Sequence, residues 1–382
     1  KTLEVPADWE GKCVLLQFEG VYQKSRVFVN DVEAGGCVYG YVPFFVSLDA
    51  YLKPGQENVI RVVADNSEQP NSRWYTGGGI YRSVWLWVGA PGSIAPEGLK
   101  VSTVSVDEPE VAVDVELLGE AKDDLTVELE ISCQGQTVAR GEGFHTRIAV
   151  PGAKLWSAET PELYRCIARV KRGAELVDEA ETFFGIRQVT CSPRGLFVNG
   201  KETLLRGGCV HHDNGIVGSA SYAESEWRRV KMLKDAGYNA IRSAHNPASA
   251  AMLEACDALG MYVMDESWDM WYRHKSAKDY ATEFMDCYKK DLQAMVERDY
   301  NHPSVILYSI GNEVSEPAEK KGVDLAREMV EFLHEADASR PVTGGMNLMI
   351  ISRSAKGNDI YKEEGGRSDD GAAKTQGMNS TI

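Results

Sequence analysis

Four polar clusters hold most of the side chains in this sequence that could do chemistry. They are Arg206-Gly-Gly-Cys-Val-His211-His212-Asp213, Asn239-Ala-Ile-Arg242-Ser-Ala-His245-Asn246-Pro247, Asp265-Glu266-Ser-Trp268-Asp269 and Ser309-Ile-Gly-Asn312-Glu313. Each follows a short run that reads as a strand, and in parallel α/β architectures the C-terminal strand ends converge on one mouth where active sites are built. One acid or histidine at a strand end is often just a solvated loop residue; four clusters in succession point to one shared site. The residue types narrow the reaction. There is no glycine-rich phosphate loop and no Gly-x-Ser-x-Gly elbow, which disfavours nucleotide and serine-nucleophile enzymes. His211, His212, Asp213, His245 and Glu313 are metal-ligand types, but they are spread over separate strands rather than tightly spaced, so neither a metal nor another cofactor is expected. A carboxylate beside Asn, His and Arg donors suits a sugar, whose hydroxyls such donors hold. Trp268 and Trp271 would stack on a pyranose face; for Tyr308 stacking and ordinary barrel packing account equally well.

The hydrophobic pattern supplies the elements that must position these clusters. Residues 1–92 alternate short β-branched or aromatic runs (Val14–Phe18, Arg26–Val29, Val59–Val63, Ser83–Val88) with turn chemistry at Asn30-Asp31, Gly35-Gly36, Pro54-Gly55 and Gly77-Gly78-Gly79. This predicts a β-sandwich. Residues 96–188, after an Ala95-Pro96 boundary, carry alternating runs at Val111–Val115, Leu125–Ile131 and Leu163–Val170, the pattern of half-buried antiparallel strands in an immunoglobulin-like sandwich. Residues 191–382 change to strand–helix alternation. Strands are predicted at Thr203–Leu205, Ala240–Arg242, Met261–Met264, Val305–Tyr308 and Val342-Thr343. Between them run helices with apolar residues at Trp227/Val230/Leu233, Met252/Cys256/Leu259, Tyr288/Leu292/Met295 and Leu325/Met329/Phe332, the first opened by a Ser221–Glu224 capping box and closed by Gly237. Such β-α units build a parallel sheet. A complete (β/α)₈ barrel takes about 250 residues, and five strands are legible, so an incomplete barrel is expected, with no sixth strand in Ser354–Ile382.

Composition bounds the partners. Acidic side chains number 57 against 41 basic, a net charge of −16. That balance argues against a nucleic-acid or anionic-membrane surface, both of which call for clustered Lys and Arg. No run approaches the roughly 18–20 apolar residues of a membrane span. The eight cysteines form no Cys-x-x-Cys pair and mostly lie within apolar runs, so they read as reduced thiols packed as small hydrophobes. A neutral or small-molecule partner fits best. The chain opens in what reads as a strand in progress, so the absence of a leader segment does not assign it to cytoplasm or periplasm.

Asn301-His-Pro-Ser-Val-Ile-Leu-Tyr-Ser-Ile-Gly-Asn-Glu313 closely resembles the acid/base signature of glycoside hydrolase family 2, the family of β-galactosidases, β-glucuronidases and β-mannosidases. Tyr238–Pro247 resembles its second-strand motif, and Phe184–Arg187, Phe197–Gly200 and Leu205–Gly207 its entry into the barrel. Phe18–Val21, Val27–Asn30 and Trp74–Arg82 resemble its sugar-binding jelly roll. The resemblance runs from about residue 10 to about 347, and the wording of Ser72–Arg82 and Val210–Gly215 is most like bacterial β-galactosidases. It implies a multidomain β plus α/β protein: a galactose-binding-like jelly roll, an immunoglobulin-like sandwich and the first five units of a TIM barrel. It implies a retaining exo-β-glycosidase acting on β-galactosides, with β-glucuronidase and a catalytically inactive carbohydrate-binding protein as alternatives. Glu313 would be the general acid/base and Asn312 would hold the substrate's 2-hydroxyl. His211 would donate to a sugar hydroxyl, Arg242 and His245 would shape the pocket, and Trp268 would belong to the substrate-binding set.

Two features depart from the family pattern. The nucleophilic glutamate belongs at the end of a seventh strand. Glu363 and Glu364, the only later glutamates, sit in a polar loop, so the nucleophile is expected beyond this chain. Second, Met270 stands where some relatives place a magnesium-binding acid, so no such metal is expected. The first strands of the jelly roll also look absent, and the chain reads as an internal fragment. Open sheet edges would then favour self-association into a homo-oligomer.

Overall fold

The computed structural model describes residues 1–119 and 124–358, together with the backbone of Tyr361–Lys362 and Gly366–Arg367. In the first texture, alternating burial along Ser25–Val29 puts Val27 and Val29 inside and Arg26 outside. Asn30 and Asp31 both take positive φ, the geometry of a tight hairpin turn, and return the chain as Val32–Cys37. Two sheets result. Thr2–Glu4, Glu57–Val63, Ser25–Val29 and Val32–Cys37 form one, and Phe44–Ser47, Cys13–Phe18 and Val84–Gly89 the other. A core that includes Val14, Leu16, Phe18, Val27, Val29, Val46 and Leu48 lies between them.

The second texture gives a three-stranded sheet (Ile94–Ser105, Glu110–Leu117, His145–Ala149). It shares a core that includes Val111, Val113, Leu129, Ile131, Cys166 and Val170 with a four-stranded sheet (Gln136–Glu142, Leu125–Cys133, Tyr164–Arg172, Glu175–Phe184). The Ala95-Pro96 boundary falls inside a strand. Ile94–Ser105 passes through it with a register shift between Ile94 and Leu99, as expected where Pro96 offers no amide to the ladder.

In the third texture five parallel strands lie side by side in chain order. They are β1 (Gly207–Val210), β2 (Ala240–Ser243), β3 (Tyr262–Glu266), β4 (Val305–Asn312) and β5 (Val342–Gly345). Between them run α1 (Ala223–Asp235), α2 (Ala250–Leu259), α3 (Ala281–Asp299) and α4 (Lys320–Ala336), and α5 (Leu348–Ser354) follows β5. All eight residues of β4 are buried, as for a strand covered on both faces.

Two local expectations fail. The first strand is Gly207–Val210 rather than Thr203–Leu205. A Cβ on Gly207 would lie 2.0 Å from the Ala240 carbonyl, so the residue that looks least strand-like is the one that lets β1 approach β2. The Ser221 capping box does not form. The cap position of α1 is Tyr222, with no side-chain cap bond, because Ser221 Oγ donates to Glu226 Oε1 instead (3.3 Å). The side-chain cap appears on α2, where Ser249 accepts from Met252 N. Tyr361–Lys362 and Gly366–Arg367 form a two-residue antiparallel ladder separate from the parallel sheet. Glu363 and Glu364 lie outside the described residues.

Candidate active site

The C-terminal ends of β1–β4 deliver the four polar clusters to one place. At the end of β4, Glu313 turns out of the strand with φ +46°, a left-handed conformation uncommon for a residue with a side chain. Its amide donates to the Gly345 carbonyl at the end of β5 (2.6 Å), which fastens the turn. Its carboxyl group stays partly exposed, with Oε2 3.8 Å from Nη1 of Arg73.

Asn312 is buried and committed on both sides of its amide. Oδ1 accepts from Arg242 Nη2 (3.0 Å) and Nδ2 donates to Asp269 Oδ1 (2.8 Å). Arg242, on β2, also donates to Glu266 Oε2 through Nε (2.9 Å) and Nη2 (2.6 Å). Glu266 has no exposed surface. Its Oε1 lies 2.7 Å from His245 Nδ1, and its Oε2 accepts from Ser309 Oγ (2.7 Å). The His245 ring then meets those of His211 (5.6 Å between centroids) and Trp74 (5.7 Å), and Trp74 in turn lies 5.4 Å from His211. Five of the six residues singled out from the sequence, His211, Arg242, His245, Asn312 and Glu313, thus belong to one connected constellation.

Trp268 does not. It has no exposed surface, packs edge-on against Phe284, and donates its indole N–H to Asp291 Oδ2 (3.1 Å). Burial pushes the Asp291 carboxyl up to about 7. Trp271 and Tyr308 are equally buried, with Trp271 Nε1 donating to the Ile310 carbonyl (2.6 Å) and Tyr308 Oη to Asp337 (3.2 Å). All three aromatics are core residues. The aromatic beside the histidines is Trp74, from the first sandwich.

The first sandwich contributes more than a ring. Arg73 donates through Nε (3.0 Å) and Nη2 (2.5 Å) to Asp269, 196 residues further along the chain. Asp269 also accepts from Lys275 Nζ (3.2 Å). Burial alone would raise its pKa, but Lys275 and Arg73 outweigh that and hold the carboxyl well below the usual range. Burial pulls the Lys275 ammonium below its usual value, so that cation depends on Asp269. The loop is tied down by Arg82, which donates to the carbonyls of Tyr41 and Pro247 (2.8 Å each), and by Tyr39 Oη, which donates to the Ser267 carbonyl (2.6 Å). His211 and His212 are both pushed toward the neutral form by burial, His212 to about 4.

Glu266 and Asp269 are visible in sequence only as part of a strand-end cluster, and Arg73, Trp74 and Lys275 carry no signal of where they fold to. Chemically, the site offers a partly exposed carboxyl group, Glu313. It is held beside an asparagine whose amide is oriented by a cation and an anion. Glu266 and Asp269 are consumed by their own partners.

Comparison with known proteins gives the family. Residues 98–187 match the family model "Glycosyl hydrolases family 2" and residues 189–362 match "Glycosyl hydrolases family 2, TIM barrel domain". The chain is 37% identical to the beta-galactosidase BoGH2A of Bacteroides ovatus, over 91% of the chain and 46% of that protein. It is 34% identical to a putative beta-glucuronidase of Formosa agariphila, over 87% of the chain and 32% of that protein. The crystal structure of a glycosyl hydrolase family 2 member from Bacteroides cellulosilyticus superposes with a TM-score of 0.87 at 36% identity, over 94% of the chain and 49% of that structure. This chain therefore spans half or less of the length of these relatives. It belongs to glycosyl hydrolase family 2.

Proposed function

We propose that this family 2 chain carries the acid/base half of a retaining exo-β-glycosidase that hydrolyses terminal β-D-galactosides. The observation that carries the reading is the Asn312-Glu313 pair: a carboxyl group turned out of the end of β4, next to an amide clamped by Arg242 and Asp269. In such a reaction a carboxylic acid protonates the leaving oxygen while a second carboxylate, about 5 Å away, attacks the anomeric carbon. Glu313 takes the first role, and as the conjugate base it activates the water that releases the sugar. Asn312 holds the 2-hydroxyl, a contact that strengthens in the transition state. His211 and His245, with Trp74 against both rings, bound the glycone pocket. Glu266 and Asp269 are spent on Arg242, His245, Arg73 and Lys275, which disfavours both as the nucleophile.

By the same reading residues 1–92 are a galactose-binding-like jelly roll, 96–188 an immunoglobulin-like sandwich and 191–382 the first five units of the barrel. β-Glucuronidase is the second reading. Relatives bearing that name lie close in sequence, and the Arg73 guanidinium beside Glu313 is a cation a uronic acid would favour.

The test uses the complete protein that contains this chain, assayed on nitrophenyl β-galactoside and β-glucuronide. Preference for the galactoside is expected; preference for the glucuronide selects the second reading. Glu313→Gln should abolish turnover of substrates with poor leaving groups and spare activated ones, which depend less on protonation. Equal loss on both would remove Glu313 from the acid role.

A further inference from the structure

Seven buried side-chain atoms make no hydrogen bond among the described residues, and five of them belong to residues lining one cavity: Arg82 Nε, His211 Nδ1, His212 Nδ1, Glu226 Oε2 and Asn246 Nδ2. Arg82, His212, Glu226 and Asn246 are each more than nine-tenths buried. The cavity lies where the loop ending in Arg82, the ends of β1 and β2, and the first turns of α1 and α2 meet. Buried polar groups without a hydrogen bond are costly, and five residues of one cavity lining that each carry such an atom call for a common partner.

The valence of these atoms identifies that partner. Arg82 spends Nη1 and Nη2 on the carbonyls of Tyr41 and Pro247, which leaves Nε–H as a donor. Asn246 Nδ2 is a donor. Glu226 Oε1 already accepts from Asn214 Nδ2 (2.9 Å) and Ser221 Oγ (3.3 Å); Oε2, 3.7 Å from Arg229 Nη1, is an acceptor. His212 Nε2 lies 3.1 Å from the Thr76 carbonyl. A carbonyl can only accept, so Nε2 carries the proton. The ring is neutral, because burial takes its pKa to about 4, and Nδ1 is therefore an acceptor. Two donors and two acceptors match the four hydrogen bonds of one water molecule. A cation would face the guanidinium and amide hydrogens; an anion would face the Glu226 oxygen and the His212 lone pair. The room available to the centre of a guest is about 10 Å³, roughly what one water needs.

We propose that this cavity is an internal water site. Its water accepts from Arg82 Nε and Asn246 Nδ2 and donates to Glu226 Oε2 and His212 Nδ1, with His211 Nδ1 as a further contact. Arg82 and Thr76 belong to the same loop as Arg73 and Trp74, so the water is a joint. It holds the sandwich loop that reaches the candidate active site against the barrel strands that carry the histidines. This holds whether or not the chain is a galactosidase, since nothing in it depends on the substrate.

A crystal structure at about 1.5 Å, with parallel crystals soaked in bromide and in rubidium, tests the assignment directly. The expected result is one ordered peak at hydrogen-bonding distance from at least three of the four atoms, with no anomalous signal from either ion. A dry cavity, or a bromide or rubidium peak there, would overturn it. Long-range ¹⁵N spectra of histidine-labelled protein give a second measurement. His212 should be the Nε2–H tautomer, and Asn246→Leu, which displaces the water, should move its Nδ1 resonance toward that of an unbonded acceptor. An unchanged Nδ1 resonance in folded Asn246→Leu protein would also overturn the proposal.

Discussion

Replacing Asp269 by Asn tests the electrostatic core of the site. Asp269 is buried and accepts hydrogen bonds from Arg73, Lys275 and Asn312. Removing one partner of a buried ion pair costs about 3–5 kcal/mol, because the remaining charge is left without compensation. Here two cations lose this partner, although Arg73 keeps Glu313 at 3.8 Å and Lys275 still donates to the Asn312 carbonyl, and they differ. The Lys275 side chain is only 3% exposed and cannot rehydrate, whereas that of Arg73 is 25% exposed and can turn to solvent. The loss should therefore fall near the lower bound, about 3 kcal/mol. For a domain of 150–250 residues, the class of the matched barrel segment 189–362, 1 kcal/mol is about 2–4 °C of Tm. Scanning calorimetry at pH 7 should find the barrel transition of Asp269→Asn lowered by about 6–12 °C. The pH dependence has a definite sign. The folded pKa of Asp269 is held below its unfolded value of about 3.9. Its stabilisation is thus complete above that value and is lost as pH falls through the folded pKa. The gap between wild type and variant should stay constant from pH 5 to 8 and close only in more acidic solution. Asp269→Leu combined with Lys275→Met replaces the pair by apolar groups and should recover most of the loss. A single-variant shift below about 2 °C, or a double variant no better than the single, would refute the claim that Asp269 exists to neutralise Lys275 and Arg73.

His212, with a folded pKa of about 4 against an ordinary value near 6.5, takes up its proton only on unfolding. Stability should fall by about 3 kcal/mol between pH 6.5 and 4, and urea midpoints for His212→Gln should show a flatter profile. Trp74 and Trp268 should separate activity from packing in the complete enzyme. Trp268→Phe leaves a cavity and strips Asp291 of a donor, costing about 1–3 kcal/mol of stability with kcat/KM unchanged in the folded fraction. Trp74→Ala should instead raise KM while moving Tm little, and the opposite pattern in steady-state kinetics would return the sugar-stacking role to Trp268. The exposed Lys231–Asp235 pair on α1 is the control: Asp235→Ala should change stability by less than about 0.5 kcal/mol.

The local pattern was enough to determine the kind of element almost everywhere. Period-two alternation marked Ser25–Val29, Glu110–Leu117 and Leu125–Cys133, because a strand buried on one face must alternate. Helix-period apolar residues followed by Gly260 marked α2 and its end. Strand-end clusters pointed to the candidate site, because parallel topology gathers those ends, and the Asn312-Glu313 wording resembled the family. What the sequence could not determine were contacts whose partners lie far apart along the chain. Gly207 is unsuited to a strand by local propensity and becomes one because only a residue without Cβ clears the Ala240 carbonyl. Ser221 and Glu224 have capping-box spacing, but Ser221 finds Glu226 nearer. Trp268 lies in a strand-end cluster and turns into the core, where Asp291 satisfies its N–H; Trp74, far earlier, takes the place beside the histidines. Charge compensation follows the same logic. Arg73 pairs with Asp269 because the sandwich loop packs against the barrel mouth, and one-dimensional spacing carries no trace of which buried acid a cation 196 residues away will meet.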